Sequence, residues 1–191
     1  RFFLWVAGNR AERLAQEDRE HLFTAEEIQA MKALNQGTMA DGTSRGIAYA
    51  KALKIFTEYN KAVMDIAEKT GLIDGSARHL WEHDFYVPFY RTMEDDRVSG
   101  PSKIKGLVRQ QAFKKLKGGE ENLGDLMANT LRNWSHLISA SLSNQAAATA
   151  LQAAERAGVA VEVKEHEKTK GATYAMVDGK QTWFEVHDPF T

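Results

Sequence analysis

The chain contains no cysteine among its 191 residues. This absence excludes disulfide bonds, thiolate metal ligands and cysteine nucleophiles, although it does not identify the cellular compartment. A long apolar run is absent as well. The longest, FFLWVAG at residues 2–8, is far shorter than the roughly 20 residues that a membrane-spanning helix needs. The sequence therefore predicts a protein that does not span a membrane and in which residues 2–8 begin a core helix.

The charges show no excess of either sign, since Lys and Arg total 25 and Asp and Glu total 26. Hydrophobic residues make up 43% and charged residues 27% of the chain, as in ordinary soluble globular domains. The overall charge therefore gives no indication of a polyanionic partner. Any nucleic-acid contact would have to depend on a local patch.

Apolar residues recur at helical spacing through most of the chain, which indicates a mainly α fold. A capping box at Thr24 and Glu27 begins a second helix, and Gly71 and Gly158 are predicted to end the two long ones. The apolar stripe of the first long helix, about 44–70, is Tyr49, Ala52, Phe56, Tyr59, Val63 and Ile66. The stripe of the second, about 120–157, is Leu123, Met127, Leu131, Trp134, Leu137 or Ile138, and Leu142. Because such stripes need partners, we expect two long antiparallel helices with several shorter helices packed on them.

The pattern changes after Gly158, where apolar and polar residues alternate as they do in half-buried strands. Two further runs, TYAMV and QTWFEV, flank Asp178 and Gly179, a pair typical of a tight hairpin turn. The sequence predicts a helical domain at 1–158 and a small antiparallel sheet of about three strands at 159–191, packed together as one unit. Both ends of the chain look cut from a longer protein.

The stretch HLWEH at residues 79–83 has the H-x-x-E-H order of inverted zinc peptidases. On an α-helix, His79 and His83 would share a face and could bind one metal ion, Glu82 could act as a general base, and Glu155 could supply a third ligand. The favoured interpretation is a pair of solvated or capping histidines at the end of a short helix predicted for 76–83. The zinc metallopeptidase stays an alternative, and we predict neither a metal nor a cofactor.

The following segment, YVPFYR, is predicted to be a structural joint. Pro88 disfavours helix for the residue before it, which indicates an extended or turn conformation. We expect the aromatic side chains of Tyr86, Phe89 and Tyr90 to pack where helices meet, and Arg91 to bind backbone carbonyls or an acid.

A block of cations without acids occupies residues 97–117, and acidic residues come directly before and after it. It could contact DNA or RNA phosphates without sequence specificity, although a solvated helix face balanced by neighbouring acids is the favoured interpretation. The cations are Arg97, Lys103, Lys105, Arg109, Lys114, Lys115 and Lys117.

Other catalytic patterns are weak or missing: the G-x-S-x-G match GTSRG, at residues 42–46, is interpreted as a flexible loop, and the sequence has no P-loop and no dinucleotide-binding glycines. We therefore predict a protein that is not an enzyme. Asn129, Asn133 and Asn144 recur on the second long helix, and we expect them to hydrogen-bond across a helix interface.

Several segments resemble, in the same order, a known family. They are LWVAGNRAERL with FTAEEIQAM, TEYNKAVMDIAEKTGLID, YVPFYR, LKGGEENLGDLMANTLRNWSHLISASLSNQA and VDGKQTWFEVHDP. The order is similar to that of the helical accessory domain of large polyvalent proteins of bacteriophages and integrative conjugative elements. The resemblance implies a non-catalytic structural or interaction module of a multidomain protein that is delivered with DNA into a recipient cell. It further implies that the partners are other domains of that protein or other phage or element proteins, and that the protein is virion-associated or in the bacterial cytoplasm after delivery.

Overall fold

The computed structural model describes residues 1–19, 23–80, 82, 85–86 and 126–187. These residues form a mainly α fold with a small antiparallel sheet at the C-terminal end, as predicted. The elements in chain order are α1 (Phe2–Gln16), α2 (Ala25–Lys32), a 3-10 helix η1 (Ala33–Asn35), α3 (Arg45–Lys69), a 3-10 helix η2 (Gly75–Leu80), α4 (Leu126–Arg156), β1 (Ala160–Val163), β2 (Thr173–Val177) and β3 (Lys180–Val186).

The chain forms two compact units. The described residues of unit 1 lie within 1–62, 82–86 and 126–134, and those of unit 2 within 63–80 and 135–187. The boundary expected from the sequence, at 158/159, falls between α4 and β1. Unit 2 instead joins the sheet with the C-terminal part of α4 and the last turns of α3.

Local sequence signals set several helix ends. The hydroxyl of Thr24 accepts a hydrogen bond from the Glu27 N–H at 3.2 Å, and the Glu27 carboxylate accepts one from the Thr24 N–H at 2.8 Å. This confirms the predicted capping box at the start of α2. Gly71 follows the end of α3 with a φ of +71°, and Gly158 follows α4 with a φ of +74°. Both conformations favour glycine, which lacks the Cβ that would be strained there.

The core of unit 1 is an aromatic and aliphatic cluster built from α1, α3 and the start of α4. Its buried members are Trp5, Val6, Ala7, Leu14, Tyr49, Phe56 and Leu126. The loop 37–44 is attached beside it by the Arg45 guanidinium, which donates hydrogen bonds to the carbonyl oxygens of Leu34, Gln36 and Thr38.

The two long helices contact each other through two widely separated hydrogen bonds, one in each unit. The indole N–H of Trp134 donates to the side-chain oxygen of Asn60, and the Asn144 amide donates to the Thr70 carbonyl oxygen. The predicted antiparallel arrangement of the two long helices is not confirmed.

In unit 2 the three strands form an antiparallel sheet in the order β1-β3-β2. Its inner face packs on α4 through Ala175 and Phe184 against Leu151, with Ala147 and Ala148 alongside. Asp178 and Gly179 form the turn between β2 and β3 with φ values of +48° and +73°, as predicted for a two-residue hairpin.

The outer face of the sheet carries an aromatic pair that holds the connection between β1 and β2. The rings of Tyr174 and Trp183 have centroids 4.5 Å apart, and the Lys168 ammonium lies 3.6 Å from the Trp183 ring centroid. The backbone N–H of Thr169 donates to the Glu185 carboxylate at 2.8 Å. These contacts hold the connection against the strands.

Among the described residues, no helix combines the length and the apolar character that a membrane span requires.

Candidate functional site

Of the five residues predicted to form the joint, Tyr86 lies in the described part of the chain, in unit 1. The Arg10 guanidinium lies 5.1 Å from the centroid of its ring, and Asn133 forms a hydrogen bond with its hydroxyl. Burial raises the pKa of the Tyr86 hydroxyl, with the Arg10 charge and the Asn133 hydrogen bond acting in the opposite direction. Its neighbour Phe85 packs edge-on against Trp5, with ring centroids 5.6 Å apart. Pro88, Phe89, Tyr90 and Arg91 lie outside the described residues, so their role stays a prediction.

The described residues 76–80 do not begin the α-helix expected at 76–83. The described backbone is a 3-10 helix, Gly75–Leu80, and the exposed Glu82 lies beyond its end. His79 lies within this helix, and His83 is outside the described residues. In the part of the chain that the structure describes, no three His, Cys, Asp or Glu side chains are grouped as metal ligands.

The same 3-10 helix is attached to α3 by an arginine. The Arg78 guanidinium lies 2.6 Å from the Asp65 carboxylate and 2.7 Å from the Glu68 carboxylate, and its side chain is 14% exposed. Partial burial strengthens such a pair relative to a fully solvated one. Among the described residues, the contacts of Arg78 therefore attach this segment to α3.

The basic block at 97–117 lies outside the described residues. Its contact with nucleic acid stays a prediction from the charge pattern alone.

The long helix α4 buries more polar than apolar side chains. Polar side chains dominate the buried positions, and three large apolar side chains are exposed, Met127 to 52%, Leu131 to 50% and Leu142 to 54%. The predicted burial of these three residues is therefore wrong. The buried positions are Leu126, Asn129, Thr130, Asn133, Leu137, Ser141, Asn144 and Leu151.

Two of the buried hydroxyls on α4 are bonded within the helix itself. Thr130 donates to the Leu126 carbonyl oxygen at 2.8 Å, and Ser141 donates to that of Leu137 at 2.7 Å. Such bonds to the preceding turn satisfy a buried hydroxyl where no other partner is needed. Both hydroxyls therefore already have hydrogen-bond partners within α4.

Asn144 is fully buried and joins three parts of unit 2. Its amide nitrogen donates to the carbonyl oxygens of Thr70, at 2.7 Å, and Met176, at 2.9 Å. Its side-chain oxygen accepts from the Met176 N–H at 2.7 Å. One amide thereby binds the C-terminal end of α3 and both backbone groups of a residue in β2. The expected role of Asn144 across a helix interface is thus seen here, with a strand added.

The hairpin turn lies against the segment that follows α3. The Gly179 N–H donates to the Gly71 carbonyl oxygen at 3.0 Å. A Cβ on Gly179 would lie 2.6 Å from the Asp74 nitrogen, and one on Gly71 would lie 3.0 Å from the Met176 carbonyl oxygen. Both glycines therefore combine a positive φ with a close backbone approach, and the sheet is docked at this point by main chain on main chain.

An apolar surface of unit 1 is exposed where α3 and α4 meet; we call it the α3–α4 surface and define it by Ile55, Tyr59, Met127, Leu131 and Trp134. Ile55 is 69% and Tyr59 48% exposed, in addition to Met127 and Leu131. The surface is continuous because the Tyr59 and Trp134 rings are in contact, with centroids 4.3 Å apart. Ile55 lies four positions from Tyr59, Leu131 lies three from Trp134, and Met127 lies four from Leu131. Clustered exposed apolar side chains of this kind mark interaction sites more often than scattered single ones do.

Comparisons with protein-family models, with curated proteins and with solved structures find no match for this chain.

Proposed function

We propose that this chain is a non-catalytic structural and interaction module of a large multidomain phage or mobile-element protein that is delivered with DNA into a recipient cell. The order of segments resembles that of the accessory domain of polyvalent proteins, and this resemblance supports the proposed kind of parent protein. The α3–α4 surface is the observation that carries the interaction role.

The way α4 uses its side chains supports an interaction role over chemistry. Three of its buried polar side chains, those of Thr130, Ser141 and Asn144, bond to backbone. Two of its large apolar side chains, those of Met127 and Leu131, face solvent. Burying polar and exposing apolar side chains costs free energy in an isolated domain, and contact with a partner would recover part of it.

Methionine oxidation tests this role with an internal control. Met127 lies on the α3–α4 surface and is 52% exposed, while Met39 lies in the 37–44 loop and is 42% exposed. In the dilute isolated chain we expect peroxide to oxidise both at similar rates, and the buried Met64, at 6% exposure, far more slowly. In the longer polypeptide that contains this chain, we expect Met127 to be protected and Met39 to be unchanged, as measured by peptide mass spectrometry.

Equal oxidation of Met127 in the isolated chain and in the longer polypeptide would argue against an interface at the α3–α4 surface. An open reading frame that encodes this chain alone would remove the multidomain part of the proposal.

A further inference from the structure

The α3 helix carries a solvent-facing stripe that we call the α3 stripe, formed by Ile47, Lys51, Ile55, Glu58 and Tyr59. We propose that this stripe binds the same stripe of a second copy of the chain, with the two helices antiparallel about a two-fold axis. This inference rests on the proposed interaction role and names the partner.

The stripe is continuous along one face of the helix. Positions 47, 51, 55 and 58 are separated by four, four and three residues, so they follow one another along the same side, and Tyr59 lies next to Glu58 on the side of α4. Its apolar members are well exposed, with Ile47 at 56%, Ile55 at 69% and Tyr59 at 48%. Lys51 and Glu58 are exposed as well. A stripe with this spacing is the contact surface that a helix presents to another helix.

The charges on the stripe select both the partner and its direction. Lys51 and Glu58 have opposite signs and lie on opposite sides of Ile55 along the helix. In a parallel pair, Lys51 would face Lys51 of the second copy and the two charges would repel. In an antiparallel pair with Ile55 at the axis, Lys51 of each copy lies beside Tyr59 and Glu58 of the other.

This antiparallel arrangement is self-complementary, as a two-fold interface requires, because each contact occurs twice. The ammonium of Lys51 gains a carboxylate and the face of an aromatic ring, and two Ile55 side chains pack on each other at the axis. The α3 stripe is small, and weak complexes bury less than about 1,200 Å² in total. We therefore expect a dissociation constant in the micromolar range or above.

Charge exchange tests the proposal by sedimentation equilibrium over a range of protein concentrations. Lys51→Glu and Glu58→Lys, made singly, each place like charges opposite one another twice, and we expect the dimer Kd to rise about tenfold or more. The double variant restores opposite charges across the axis, and we expect its Kd to return to within about threefold of the wild-type value. The matched control is Lys170→Glu, the same charge change at an exposed position of the connection between β1 and β2, outside the α3 stripe, and it should leave the Kd within about twofold.

Circular dichroism of each variant checks that the helices are retained, which is expected because both side chains are exposed. A chain that stays monomeric at every concentration would overturn the proposal. So would a dimer whose Kd responds to Lys170→Glu as much as to Lys51→Glu, or a double variant as weak as the single ones.

The two proposals fail separately. Protection of Met127 in the longer polypeptide, without any effect of charge exchange, would leave the interaction surface in place and remove the second copy as its occupant. A charge-dependent dimer with Met127 fully oxidisable in the longer polypeptide would support self-association and remove the proposed contact with other domains.

Discussion

Replacing Asn144 with alanine is expected to destabilise unit 2 strongly. The change removes three hydrogen bonds of 2.7, 2.9 and 2.7 Å and leaves the Thr70 carbonyl and both backbone groups of Met176 without their partner. Each net hydrogen bond contributes about 1 kcal/mol, and an orphaned buried group costs about 1–3 kcal/mol. Because water that enters the vacated space would recover part of this loss, we expect the free energy of unfolding to fall by about 3–4 kcal/mol. Urea titration followed by circular dichroism measures the change.

Ser141→Ala is the matched control, since Ser141 is equally buried on the same helix and bonds to a carbonyl that already belongs to the helix ladder. We expect it to cost less than about 1 kcal/mol because no backbone group is orphaned. Hydrogen exchange of the Met176 amide gives the local readout, and it should accelerate only in Asn144→Ala. Equal costs for the two substitutions, or an unchanged Met176 exchange rate, would refute the reasoning.

Two further predictions concern the hairpin and the loop that receives it. Gly179→Ala should lower the free energy of unfolding by about 2–4 kcal/mol, because its Cβ would lie 2.6 Å from the Asp74 nitrogen and the backbone has a φ of +73°. Gly171→Ala is the control, since there is open space around Gly171, and it should change the free energy of unfolding by less than about 0.5 kcal/mol. A urea titration measures both. The side-chain and backbone hydrogen bonds of Ser76 lower the pKa of Asp74, so its contribution to stability is present above the unfolded-state pKa and is lost as pH falls through the folded-state pKa. Ser76→Ala should raise the pKa of Asp74 towards its ordinary value in an NMR titration and make stability less dependent on pH in the acid range; an unchanged titration would contradict this assignment.

The features that the sequence predicted well depend on a few neighbouring residues. The Thr24 capping box, the helix end at Gly71 and the Asp178–Gly179 turn each follow from backbone conformations that only certain residues adopt without strain. The alternating pattern after Gly158 likewise led to the three strands. In each case the residues that cause the feature lie within about five positions of it, so the local sequence is enough to predict it.

The orientation of α4 and its direction relative to α3 depend on contacts between distant residues. Met127 and Leu131 have the spacing of a buried stripe, yet Asn133 and Asn144 belong to a second stripe with equally regular spacing that competes for the core. The hydrogen bonds available to the second stripe, above all those of Asn144 to Met176, exist only once the sheet is in place. The recurrence of asparagine indicated a role across an interface. The sequence alone did not show which of the two stripes would be buried.

The candidate interaction surface was missed for the same reason. Tyr59 was assigned to the core through its spacing with Phe56, and the structure leaves it 48% exposed beside Trp134. The signal that could have found it is the placement of Ile55 directly after Lys54 and four positions after Lys51, an apolar residue on a charged side of the helix.

The hydrogen bonds of Asn144 also affect whether a further strand can pair with the edge of this small sheet. Strand β2 is at one end of the order β1-β3-β2, and the backbone groups of Met176 that point away from β3 would otherwise be available to any extended chain that approached. The Asn144 side chain presents one N–H and its oxygen to Met176, arranged like those of a peptide group, and they bond to both backbone groups. A single amide thus takes the place of a fourth strand at Met176, so the backbone groups of this edge residue already have their partners inside unit 2.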